Sequence, residues 1–275
     1  MHRYVTIALA ATTLTAACSG AGRGRQPSWR HGSGSTPSES GSTTSSTTFV
    51  ELGASATEVQ RYNDPPRLAA PASQLSSAIL GGRRIVKTNM GLSAPLPDGR
   101  LYRALDELAQ VAPADVPPGY ALTEFALQRN GIIEPSPHLI IIWGSIEHPE
   151  QVVEQLDERL PSILQTGRYA RVGIGAAQRG EAGDLILLAF QESYLATDPI
   201  PRELPAGGST GIEANLDSRF SEPHVFHTTD EGTVEKLPIA RIGATGLRTR
   251  FECGRRVGKQ QIEITAADES GSTVL

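Results

Sequence analysis

The sequence predicts an α+β chain in two folded parts, a three-layer α-β-α sandwich followed by a small all-β sandwich. Three observations carry this. Between Arg168 and Gln191, Val172, Ile174 and Ala176 alternate with Arg171, Gly173 and Gly175, and an unbroken apolar run, Leu185 to Phe190, follows across the polar turn QRGEAGD. This reads as a β-hairpin, and a strand apolar on both faces belongs to a sheet covered on both sides. Helical spacing fills most of the stretch before the hairpin. After Gly208, short strand candidates recur between turns.

The elements follow in order. Ala69 to Leu80 reads as a helix and Arg83 to Val86 as a short extended piece. Asp98 caps a helix carrying Leu101, Ala104, Leu105, Leu108 and Ala109, which Pro113 stops. Pro117 and Pro118 open the next, with Leu122, Phe125 and Ala126 on one face and Gly131 beyond its end. Leu139 to Trp143 reads as a buried strand. Pro149 starts a longer helix lined by Val152, Val153, Leu156, Leu160, Ile163 and Leu164. Pro161 should kink or break it, and Gly167 ends it. Ser193 to Gly208 reads as a connection. Strand candidates then lie at Gly211–Leu216, His224–Thr228, Thr233–Leu237, Leu247–Phe251, Gln260–Ala266 and Thr273–Leu275. Their pattern fits an immunoglobulin-like sandwich. The last candidate has no following turn, which predicts that the chain continues past Leu275.

The chain has 275 residues, 39% hydrophobic, with a net charge of −5. That length supports one or two domains with real cores. The acidic balance excludes an electrostatic footprint for nucleic acid. The two cysteines, Cys18 and Cys253, have no zinc-type spacing.

The first 18 residues read as a signal peptide with a lipobox-like cysteine. His2 and Arg3 form a basic start, and Val5 to Ala17 is apolar, uncharged and too short to span a bilayer. Cys18 follows LTAA, as a cysteine destined for lipidation does, although Thr15 stands where the leucine usually sits. The alternative is an ordinary cleaved secretory signal. Residues 19–48 are rich in Gly, Ser and Thr and too poor in apolar surface to fold. As a flexible tether they span roughly 30 Å. Residues 49–96 form a poorly defined lead-in, 97–192 the α-β-α domain, 193–208 a linker and 209–275 the β-sandwich.

The run YARVGIGAAQRGEAGDLILLAF resembles the closing hairpin of the CAP (SCP-like) superfamily, which includes cysteine-rich secretory, antigen-five and plant pathogenesis-related proteins. EQVVEQLDERLPSILQTGRY resembles the helix that leads into it, and DGRLYRALDELAQVAP and YALTEFALQRNG resemble the first helices. The coverage is Pro97 to Gln191. The β-rich part resembles a module that follows CAP-like domains in some secreted bacterial proteins. The resemblance implies a secreted or surface location. It does not carry the pocket, which in the family holds two histidines and two acidic residues that can bind a divalent metal. Arg171 stands where a pocket histidine often stands, and the first helices contain no histidine.

No catalytic residue, metal site or cofactor is therefore assigned. The expectation is an envelope-anchored lipoprotein, at the outer membrane or surface, whose CAP-like domain binds or scaffolds a protein, glycan or lipid partner without catalysis. The membrane itself is contacted through acylated Cys18. A secreted protein is the alternative location. The alternative function is a metal-dependent hydrolase using Glu134, His138, Glu147 or His148, which lie close in sequence around predicted elements. Glu147 and His148 read more simply as a helix-start turn. Lipid or sterol binding follows from the resemblance alone. His224 and His227, three apart on a strand, point to opposite faces. No G-x-S-x-G elbow occurs, and Gly173-Ile174-Gly175 reads as a place for a close helix, not as a phosphate loop. Cys253 is either disulfide-bonded to a cysteine further along the chain or a buried free thiol.

Overall fold

The computed structural model describes residues 14–19, 61–63, 73–81, 94–113, 116–165, 167–179 and 183–275, with backbone alone for 14–19. The leader at 1–13, the tether at 20–48 and the extended piece at Arg83–Val86 lie outside them.

A four-stranded sheet positions the first part of the chain. Its strands are β3 (Leu96–Pro97), β5 (Tyr169–Ala177), β6 (Asp184–Glu192) and β4 (His138–Gly144), in that spatial order. β5 and β6 form the expected antiparallel hairpin, β4 pairs antiparallel with β6, and β3 runs parallel to β5. Side chains alternate across β6. Ile186, Leu188 and Phe190 pack with helices α1 (Gln74–Leu80) and α4 (Pro149–Leu164). Leu185, Leu187 and Ala189 pack with helices α2 (Gly99–Val111) and α3 (Tyr120–Arg129). Each of these six residues is 0–1% exposed. Burying an aliphatic or aromatic side chain so fully stabilises by about 1.5–3 kcal/mol.

The glycines of β5 set the seat of α2. A Cβ on Gly175 would lie 2.2 Å from the Leu105 carbonyl carbon and 2.4 Å from the Asp106 nitrogen, and one on Gly173 would meet Leu101 at 2.6 Å. Backbone cannot move aside as a flexible side chain can, so only glycine allows this approach. Asp106 closes the contact by accepting a hydrogen bond from the Ala176 N–H at 3.1 Å.

Two helices depart from the periodicity reading. In α3 the buried residues are Thr123, Glu124, Ala126 and Leu127, while Phe125 is 51% exposed. Glu124 is held inside by Ser136, whose Oγ–H donates to Oε1 at 2.5 Å. This hydrogen bond with half-buried Ser136 accompanies a helix face that departs from the apolar pattern. α4 runs through Pro161 to Leu164. The proline sits in the last turn, and Leu156, Leu160 and Leu164 are all buried against the sheet.

The second part is built of strands β7 (Leu195–Thr197), β8 (Ile200–Pro201), β9 (Glu203–Pro205), β10 (Ser209–Leu216), β11 (Ser221–Thr228), β12 (Val234–Leu237), β13 (Ile239–Ile242), β14 (Gly246–Glu252), β15 (Gly258–Asp268) and β16 (Gly271–Val274). A four-stranded sheet has the order β13-β14-β10-β7. A six-stranded sheet has the order β12-β11-β15-β1-β9, with β16 also on β15 and β1 formed by Leu14–Ser19. Their shared core holds Ile212, Ala214, Val225, Leu247, Phe251, Ile262 and Ile264. β2 (Arg61–Tyr62) pairs with β8, and Tyr62 and Ile133 join this core from the first part of the chain.

The fold-class expectation is corrected here. Among the described residues, strands make up 44% and helices 24%, with four helices and several antiparallel sheets. A CAP-type three-layer α-β-α sandwich followed by a small immunoglobulin-like module is not what the chain builds. Helices flank only the sheet containing the hairpin, and one of that sheet's four strands is two residues long. The strand-rich architecture begins earlier than Gly208. β7, β8 and β9 lie in the stretch read as a connection, and β1 lies in the stretch read as the end of the leader. Such strands are two to six residues long and their partners are distant in sequence, so no local period reveals them.

Candidate functional site

Among the described residues, a buried polar cluster lies where the hairpin sheet meets the strand-rich part. It grows from Asp98, the N-cap of α2. Asp98 Oδ1 accepts from the Arg100 N–H at 2.8 Å, and the Asp98 N–H donates to the Val172 carbonyl at 3.1 Å. Asp98 Oδ2 pairs with Arg100 Nη2 at 2.8 Å and faces Arg171 Nε at 3.5 Å. Arg171, at the start of β5, also pairs with Glu134, which lies in the turn between α3 and β4. Ser193 Oγ–H donates to Glu134 Oε1 at 3.4 Å. Gln191 stands opposite Arg171 in the hairpin register and donates from Nε2 to the Pro135 carbonyl at 3.1 Å.

A second arm leaves Arg100. Its Nη1 donates to Asn63 Oδ1 at 3.0 Å, and Asn63 Nδ2 donates to the Thr197 carbonyl at 3.1 Å and hydroxyl at 3.0 Å. Asn63 holds a left-handed backbone, φ 55°, which asparagine tolerates better than most residues. The cluster thus runs from the helix cap to a strand of the four-stranded sandwich sheet.

Its charges balance, with two carboxylates against two guanidiniums. Asp98, Arg100, Glu134 and Gln191 are each at most 5% exposed. Burial by itself pushes the Asp98 carboxyl up. The hydrogen bond and charge of Arg100, the charge of Arg171 and the Arg100 N–H outweigh it and hold the group below its ordinary value. Chemically this is a lock: both carboxylates are held by arginines. Glu134 Oε2 and Gln191 Oε1 are buried without a hydrogen-bond partner.

The other sequence candidates lie elsewhere. His138 opens β4, where burial lowers its pKa and its ring meets Tyr169 edge-on at 6.2 Å. Glu147 and His148 follow the far end of β4. That strand's seven residues separate them from His138 by roughly 20 Å. His148 Nδ1 lies 3.3 Å from Glu150 Oε1 on the surface. Glu134 and Arg171 meet, while Glu147 and His148 stand apart from them. No group of three or more His, Cys, Asp or Glu residues able to hold a metal occurs among the described residues. Cys253 is buried and disulfide-bonded. Cys18 lies in β1, and its side chain is outside the described residues.

Sequence reasoning missed two features. His227 is buried with Nδ1 2.7 Å from Glu235 Oε1, Nε2 2.6 Å from Gln260 Oε1 and its ring against Phe251. The alternation on β11 that turns His224 outward was legible; the partners on β12 and β15 were not. The second feature is an open groove of about 510 Å³ on the outer face of the four-stranded sheet. Its walls include Arg248 and Arg250, with Ser209, Ile239, Ala240 and Gly211 beside them. A Cβ on Gly211 would meet nothing within 4 Å. Arg248 pairs with Glu213 at 2.6 Å, and Arg250 with Glu252 at 3.2 Å, all four largely solvent-accessible.

No known protein family matches this chain, and no curated protein matches it.

Asp98→Asn keeps a capping oxygen and removes the charge. Asp98's pKa is lower folded than unfolded, so its stabilisation is complete above the ordinary value of 3.8 and is lost as pH falls through the folded value. In urea titrations the variant should lose about 3 kcal/mol at neutral pH. The gap to wild type should narrow on acidification below the ordinary value. A gap independent of pH contradicts the charged role.

Proposed function

We propose that this chain is a non-catalytic binding module that works outside the cytoplasm, at the cell envelope, and is held there by its N-terminal segment. The groove on the outer face of the β13-β14-β10-β7 sheet carries the binding reading. It combines an uncluttered floor at Gly211 with guanidinium donors at Arg248 and Arg250. It also borders β13, an edge strand, so an extended segment laid there can pair with main chain as well as with arginine. The ligand class that fits is an extended acidic peptide segment of a partner protein. The rim pairs to Glu213 and Glu252 are surface pairs of small individual worth, which an incoming carboxylate can replace. Against this, the buried carboxylates Asp98 and Glu134 are engaged by arginine, which supports a structural role for them.

Location rests on other features. A disulfide at Cys253 suits an oxidising compartment, as does the signal-like leader. Acylation at Cys18 is the membrane attachment of this reading. One sulfur cannot carry both a thioether-linked lipid and a disulfide, and Cys18 is the only other cysteine in the sequence. Palmitate labelling of wild type and Cys18→Ala settles which use the sulfur has. Label confined to wild type is expected, and equal incorporation in the two contradicts the anchor.

Binding is checked by calorimetry against extended peptides of acidic, neutral and basic sequence. Saturable binding of acidic peptides should be lost in Gly211→Leu, whose Cβ meets nothing within 4 Å and whose side chain would occupy the groove. Absence of binding by every acidic peptide, or binding unchanged in the variant, contradicts the groove.

A further inference from the structure

The edge of the hairpin sheet is a second surface, independent of the groove. β4 pairs with β6 through seven consecutive residues without a bulge, and no described strand pairs with its other side. Its sequence, HLIIIWG, contains neither a charged Asp, Glu, Lys or Arg nor a proline. Exposed edges in native proteins are usually blunted by lysine, proline, bulges or shortness. This edge has none of these protections. Backbone polarity also faces outward there. The Trp143 carbonyl is met by Gln155 Nε2 at 3.4 Å, so it points away from β6. Antiparallel alternation gives Leu139 and Ile141 the same outward direction. On the side-chain face Leu139 and Ile141 are half-buried, and Trp143 is 38% exposed.

We propose that β4 pairs antiparallel with β4 of a second copy of this chain, making one continuous sheet across a two-fold axis at Ile141. The strand is complementary to itself. Inverted about Ile141, Leu139 falls opposite the second copy's Trp143 and Ile140 opposite its Ile142, so every facing pair is apolar and no like charges meet. The ends are complementary too. His138, exposed at one end, comes beside the second copy's Gly144, whose neighbour in its own sheet is Asp184. An isologous contact of this kind closes after two copies and leaves no edge to propagate. It is small beside the 1,600 Å² or so of a stable interface, so the dimer dissociates on dilution.

Multi-angle light scattering over a concentration series tests this on the whole chain. Wild type should approach twice the 29.2 kDa chain mass at high concentration. Trp143→Lys should remain monomeric with an unchanged thermal midpoint. Ile141→Cys should form a reducible dimer under mild oxidation. Outward-facing residues on the axis form a hydrogen-bonded pair with Cα atoms about 5.5 Å apart, within disulfide range. Wild type that stays monomeric at every concentration overturns the proposal, as does a monomer whose β4 amides resist exchange because another part of the chain covers them. A dimer that persists in Trp143→Lys and gives no Ile141→Cys cross-link also overturns it.

Discussion

The carboxylate of Asp98 is the point on which the rest of the structure turns. It caps α2, and α2 can lie on the hairpin sheet only because Gly173 and Gly175 leave room for it. The same carboxylate holds Arg100 and Arg171 in the interior, where an unpaired guanidinium would cost several kcal/mol. Arg171 then fixes Glu134 ahead of β4, and Arg100 reaches Asn63 and through it β7. Helix start, sheet seating and the contact with the strand-rich part are therefore set by one buried group. Ion pairs of this kind add little net stability over an apolar filling of the same shape. Their geometric demands are strict, however, and they specify which surfaces meet.

The distribution of chemistry follows from that. Charged residues that in a cleft would suggest acid–base work are here spent on mutual neutralisation. The surfaces left open are of a different kind: a groove on the outer face of one sandwich sheet and an unblunted strand at the edge of the hairpin sheet. Both offer main chain and shape more than reactive groups. As proposed, the first would take an acidic partner segment and the second another copy of this chain.

Much of the first half was legible from residue spacing. The hairpin, the Asp98 cap, the leucine face of α2 and the seat offered by the β5 glycines all rest on interactions within or near one element, which periodicity records. The face of α3 was not legible, because the partner of buried Glu124, Ser136, lies outside the helix, while Phe125 is in solvent. Arg171 was read for the histidine it replaces. Its partners, Asp98 and Glu134, come from separate turns that only the fold brings together. The bond between Asn63 and Thr197 spans 134 residues. The short strands β7 to β9 carry too few residues to show a period, and the CAP-like reading rested on the hairpin and the helices before it, which lie outside these strands.

If the Asp98 cluster joins the two parts as described, they open together. Native-state hydrogen exchange of wild type and Asn63→Gly measures this, since glycine keeps the left-handed backbone and removes only the bridging amide. One opening free energy shared by β6 and β14 amides in wild type, splitting into two in the variant, is the predicted result. Two separate opening free energies already present in wild type, or no change in the variant, would contradict the account.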